Sequence, residues 1–194
     1  MSNPTNDSQV AAAETSGPNT GTAPRKRMTL FRAMRDDDSS HMEMEILGVD
    51  EVAQAGFARL MATGVPPGTG ERMRVLFSES SADGMSLTYA WFKSGNMVPK
   101  HSHDVDCLYY ILAGELRMGT QTLRKGEGIF VPKDFGYTFT AGPKGVELLE
   151  FRTTTKFHFK LKGNDDTFFE TMARAQEKGR DVWPTERPPS ETVR

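Results

Sequence analysis

The chain has 194 residues, with 24 Lys plus Arg against 26 Asp plus Glu and a formal net charge of -2. So even a balance gives no reason to expect nucleic acid or an anionic membrane as a partner. The single cysteine, Cys107, excludes an internal disulfide, and no apolar run approaches the roughly 18 residues of a membrane span.

Residues 1–27 are rich in Ser, Thr, Asn, Pro, Ala and Gly and lack the basic start and apolar centre of a secretory signal. Such a segment buries too little surface to offset the entropy of ordering, so a disordered tail and a cytoplasmic protein are expected. Arg25-Lys26-Arg27 is too short a basic cluster to carry a docking reading. Residues 28–70 are expected to supply a strand and a helix packed on the main body. Met42, Met44 and Ile46 alternate with Glu43, Glu45 and Leu47, which fits a short strand. Asp50 can cap a helix running to Met61, stopped near Gly64 and Pro66-Pro67. Its stripe would be Val52, Ala53, Phe57, Leu60 and Met61.

Over residues 71–162 strands succeed one another quickly. The spacing predicts them at 72–77, 85–93, 115–118, 121–123, 128–132, 137–140, 146–152 and 156–161, with a hairpin turn at Ser81-Ala82-Asp83-Gly84. Together with a histidine-bearing stretch between the second and third, about ten short strands predict an antiparallel sandwich or barrel. Residues 163–194 differ. Asn164 to Thr167 offer caps for a helix over 168–178, packing through Phe168, Phe169, Met172, Ala173 and Gln176. That helix reads as an outer brace or subunit contact, and the proline-bearing segment from Trp183 onward as an extended arm or frayed end.

The stretch from Gly95 to Gly114 carries the chemistry. His101 and His103 are two apart, so on an unbroken strand they share a face with Val105, Cys107 and Tyr109. Two imidazoles on one face can supply two nitrogen ligands to a first-row metal. Cys107 can complete a His2Cys set as thiolate, or can pack as a small hydrophobe. Tyr137 can ligate as phenolate, act as a general acid, or line the interior with its hydroxyl on a backbone partner. Met97, Phe92, Phe130 and Phe139 are expected to face inward around an apolar pocket. His41, behind an acidic run, and His158, set outward between Phe157 and Phe159, are weaker candidates.

These residues resemble the cupin family. Gly95, five residues, His101-Ser102-His103, three residues, Cys107, six residues and Gly114 reproduce the spacing of the first family motif. Gly126, five residues and Pro132 open the second, with Asp134 where Gly is usual and Tyr137 where His is usual. The resemblance implies an all-β double-stranded β-helix, the cupin jelly-roll barrel, with flanking α-helices. The usual cupin site is three histidines and a glutamate; here Cys107 stands at the glutamate place and Tyr137 at the last histidine place. The implied reading is a metal-dependent enzyme of dioxygenase, isomerase or lyase type acting on a small organic substrate. His101, His103 and Cys107 would hold one divalent ion (Fe, Zn, Mn, Ni or Cu not distinguished), with Tyr137 and Tyr109 as catalytic groups. The alternative is a non-catalytic barrel that binds or senses a small ligand. A homodimer is implied; nucleic acid and membrane are not expected as partners.

Overall fold

Alternating burial along a few long strands organises the protein. The computed structural model describes Met28, Leu30, Phe31 and residues 44–79 and 84–191. The expected tail, His41, Met42 and the turn residues 81–83 lie outside the described residues. The chain divides into compact units at Met1–Leu30 and Phe31–Arg194, and the second unit holds the strands and helices of the described residues.

Its strands are β1 (Met44–Leu47), β2 (Glu71–Ser78), β3 (Ser86–Phe92), β4 (His101–Ser102), β5 (Cys107–Met118), β6 (Gln121–Arg124), β7 (Gly128–Val131), β8 (Thr140–Arg152) and β9 (Phe157–Leu161). Helices α1 (Glu51–Ala62) and α2 (Asp166–Gly179) flank them. One sheet runs β2-β3-β8-β5-β6, with β7 also paired to β5; the other runs β1-β9-β4. The expected all-β jelly-roll with flanking helices is therefore observed. Within residues 71–162 the pairings are antiparallel, as expected, while β1, which precedes the first helix, lies parallel to β9. No hairpin joins these two strands, so no turn dictates their direction.

On β5, Cys107, Tyr109, Ile111 and Ala113 are buried, while Leu108 and Tyr110 are exposed. Irregularities after Ile111 and Gly114 then shift the inward parity to Leu116. Gly114 is required there: its φ is 76° and an added Cβ would lie 2.1 Å from the Gly145 carbonyl oxygen. Phe130 pairs with Leu108 on the outward parity and is 58% exposed, so it is not the inner-facing residue expected. Phe92 and Phe139 do join the core, with Ile111, Leu116, Val146 and Leu148. Phe159 of the second sheet packs against this cluster, so the two sheets face one another.

Both helices start on the expected caps: Asp50 accepts from the Ala53 N–H and Asp165 from the Phe168 N–H, each at 2.8 Å. The packing face of α1 is rotated from the expected stripe. Ala53 and Gly56 are buried, whereas Val52 and Met61 are exposed. The reason is Gly56, whose missing side chain lets the Phe169 ring rest on the helix backbone; a Cβ there would meet that ring at 2.2 Å. The described part of the segment after α2, through Glu191, is held to the body and does not fray. Trp183 is buried and its Nε1–H donates to the Ser94 carbonyl at 2.9 Å. Lys93 Nζ donates to the Trp183 carbonyl, and the Ser190 N–H donates to Glu147.

Candidate functional site

The alternation expected through the histidine stretch breaks after Ser102, where β4 ends. Even so, both imidazoles are held firmly. His101 exchanges backbone hydrogen bonds with Tyr137 at 2.9 and 2.8 Å, and the His103 carbonyl accepts from the Asp134 N–H at 2.6 Å. Asp134 has φ 60°, a left-handed conformation that glycine adopts more readily than other residues. The His101 Nδ1–H donates to the Pro99 carbonyl at 2.7 Å and the His103 Nδ1–H to the His158 carbonyl at 2.8 Å. A carbonyl can only accept, so in each neutral ring the lone pair sits on Nε2. The rings lie 4.9 Å apart, with His101 stacked on Phe159 at 4.0 Å and His103 edge-on to Phe157. Burial lowers His101 to about 3. It lowers His103 as well, with Arg152 working in the same direction.

His158 itself points away from the pair. Its Nδ1 and backbone N–H bind the two oxygens of Asp104 at 2.5 and 2.8 Å. Those bonds outweigh burial and hold Asp104 down at about 2. His158 thus supports His103 through its carbonyl, a contact its outward side-chain parity did not reveal.

Facing the histidines is a wall of unlike chemistry. Glu150 and Arg152 of β8 share the inward parity of Val146 and Leu148, and Arg152 donates to Glu150 at 2.8 Å with both side chains almost fully buried. The register sets Tyr109 opposite Glu150 and Cys107 opposite Arg152. The guanidinium also lies over the Phe157 ring at 4.2 Å. Burial alone would lower Arg152, but the Glu150 carboxylate outweighs it and the net direction is up. Burial pushes the Cys107 thiol up to about 12 and raises both Tyr109 and Tyr137, so all three are neutral at pH 7. The two phenol oxygens hydrogen-bond to each other.

A cavity of about 90 Å³ gathers His101, His103, Tyr109, Glu150 and Arg152, and Glu71 at the start of β2. That volume is close to three waters' share of liquid. Although Glu71 as a residue is exposed, its carboxyl is pushed up, first by lost hydration and then by Glu150. Of the residues singled out from sequence, His101, His103 and Tyr109 reach this cavity; Tyr137 and Cys107 sit in the adjoining core. As a donor set for a divalent ion, the two Nε2 atoms fit: each ring is anchored through Nδ1, the arrangement that orients metal-binding histidines. Among the described residues, however, no group of three His, Cys, Asp or Glu stands close enough to hold a metal. Sequence reasoning missed Glu71, Glu150 and Arg152. A signal for the last two was present, since both fall on the apolar parity of Val146-Glu147-Leu148-Leu149-Glu150-Phe151-Arg152.

No family model matches the chain, and no curated protein matches it. Solved structures do. A chain in the crystal structure of Rhodobacter sphaeroides SigE in complex with the anti-sigma ChrR is 21% identical over 43% of this chain and 45% of its own, with a TM-score of 0.39. This chain thus spans less than half of that one. An RmlC-like cupin from Shewanella frigidimarina is 20% identical over 45% and 78%, TM-score 0.37. The polyketide cyclase RemF from Streptomyces resistomycificus is 19% identical over 57% and 84%, TM-score 0.42. The chain is similar in fold to cupin-type proteins, and the chemistry of those proteins is theirs. No helix among the described residues is long and apolar enough to cross a membrane.

Proposed function

We propose that the protein is a metal-dependent enzyme of the isomerase or lyase type acting on a small organic molecule in the cavity between its sheets. The observation that carries this reading is the pair of buried imidazoles, each tied through Nδ1 to a main-chain carbonyl, lining one cavity with two carboxyls. His101 and His103 would hold a divalent ion through Nε2. When bound, that ion supplies Lewis-acid polarisation of a substrate oxygen. No further protein donor is assigned: Glu71 and Glu150 line the cavity but do not close a group of three with the histidines, and burial keeps the Cys107 thiol protonated.

The chain's own groups suit proton transfer. The Glu150 carboxylate can accept a proton, while Tyr109, its cross-strand partner, holds a neutral phenol able to donate one. Tyr137 positions the Tyr109 hydroxyl through their mutual hydrogen bond. Arg152 holds the Glu150 carboxylate in place through their ion pair. Elemental analysis of untagged protein from metal-replete cells tests the reading. About one ion per chain is expected, lost in His101→Ala and kept in Cys107→Ser. Metal loss in Cys107→Ser would restore the thiolate as a ligand.

A second reading, a non-catalytic small-ligand barrel, is favoured by the Glu150–Arg152 pair and by the missing third ligand. Protein with no metal under those conditions would select it. The homodimer belongs here too. Leu108, Tyr110 and Phe130 leave an exposed apolar face on β5 and β7 that a second copy would cover. Sedimentation equilibrium of Leu108→Lys should then show a monomer where the wild type is a dimer.

A further inference from the structure

The cavity at the histidines is not a closed void. Met44, Glu71, Val98 and Phe159 line it and also line a larger chamber of about 260 Å³. Phe159, whose ring stacks on His101, stands at the junction. The chamber's other walls come largely from outside the main sheet: Ile46 of β1, Phe57 of α1, Met172 of α2, and Val65, Met97 and Trp183 from connecting segments. The expected outer brace is thus part of a chamber wall. Ile46 is 52% exposed and marks the open side.

The walls favour one kind of occupant. Aromatic and thioether side chains pack well on aromatic rings. A cavity of about 150 Å³ accommodates benzene, so this chamber takes a body of roughly two rings. At the inner end the two imidazoles present Nε2 lone pairs, which accept a hydrogen from an occupant while no ion is bound; with an ion held there, the occupant's oxygen would meet the ion instead. Arg152, 2% exposed, has an Nε with no hydrogen-bond partner among the described residues. That N–H donates. A hydroxyl answers both demands, because it donates and accepts at one atom. A carboxylate answers them badly. It would meet the carboxyls of Glu71 and Glu150, while the guanidinium is already bound to Glu150 at 2.8 Å.

We infer that chamber and inner cavity together form a substrate site for a neutral, hydroxyl-bearing aromatic molecule of about two rings, its ring body among Phe57, Met172 and Trp183 and its hydroxyl at His101 and His103. This deepens the proposed function and rests on it only for what happens to the bound molecule, since the chamber's own chemistry needs no ion.

Isothermal titration calorimetry at pH 7 tests it with 2-naphthol and 2-naphthoate as probes, on full-length protein stripped with a chelator and then dialysed. One 2-naphthol is expected per chain, at least tenfold tighter than 2-naphthoate. Ile46→Trp, a change at an exposed position that leaves folding intact, should narrow the open side and weaken 2-naphthol at least tenfold. Met172→Trp should do the same from the buried side, its circular dichroism confirming the fold. Equal or tighter binding of 2-naphthoate, no heat from 2-naphthol, or wild-type affinity in both tryptophan variants would overturn the inference. A parallel titration of the stripped protein with Zn2+ separates the two claims. Naphthol binding without zinc uptake keeps the substrate site and removes the metal reading, and zinc uptake without naphthol binding does the reverse.

Discussion

The inner face of the main sheet has two ends built from the same strands. At one end, Ala90 of β3, Val146 and Leu148 of β8, and Ile111 of β5 form an apolar layer that does not line the cavity. At the other, the same rows continue as Ser86 and Thr88, then Glu150 and Arg152, then Tyr109 and Cys107. Parity, register and burial are alike; only the chemistry changes. Charged groups buried in a sheet cost desolvation that an apolar pair would not. The same positions are filled with Leu and Val at the first end, so the ion pair buried at the second is the feature that the proposed polar ligand would explain.

Breaking the ion pair should give the largest effect. Arg152→Met leaves Glu150 buried without its partner and is expected to cost about 3–5 kcal/mol in urea unfolding. The double variant Glu150→Leu/Arg152→Met makes the polar end resemble the apolar one. It should recover to within about 1 kcal/mol of wild type, or exceed it, while losing metal and ligand binding. A double variant as unstable as the single would mean that the pair stabilises the fold rather than the site.

At the apolar end, Leu148→Ala removes a fully buried side chain and should cost about 2–5 kcal/mol. Metal stoichiometry should stay at the wild-type value, because Leu148 does not line the cavity. A loss of metal there would show that the two ends are not separable.

The ends should also differ in pH response. His101 is at about 3 in the folded protein against an ordinary 6.5. Between those values the unfolded chain binds the additional proton, so this contribution is fully present above pH 6.5 and is lost as pH falls. By pH 5 the loss is on the order of 2 kcal/mol. Urea midpoints of chelator-treated protein at pH 7 and pH 5 should therefore converge in His101→Asn relative to wild type. Leu148→Ala should shift both midpoints equally. The smallest effect belongs to neither end: Asp165→Ala removes the α2 cap and should cost about 1 kcal/mol at either pH, with binding unchanged.

Much of this arrangement was legible in the amino-acid sequence. Period-two alternation placed β2, β3, β6, β7 and β9, and the Asp caps placed both helices, because those signals are local. The spacing from Gly95 to Gly114 identified the histidine pair for the same reason. What was not legible depends on partners distant in the chain. The rotation of α1 comes from a Phe169 ring resting on Gly56, and the docking of the last segment from Trp183 meeting Ser94. Cys107 and Tyr137 drew attention as substitutions in a motif. The groups that complete the cavity, Glu71, Glu150 and Arg152, come from strands before and after that motif and meet it only through sheet register.

On the proposed reading, His101 and His103 together hold a divalent ion at the polar end. Pulsed electron paramagnetic resonance of protein loaded with one equivalent of Cu2+ tests it most directly, because the remote ring nitrogen of each coordinated imidazole modulates the echo. Two coordinated imidazoles are predicted in the wild type and one in His103→Ala, with the remote nitrogen being the carbonyl-bound Nδ1. An echo showing no imidazole, or one unchanged between wild type and His103→Ala, would contradict that claim.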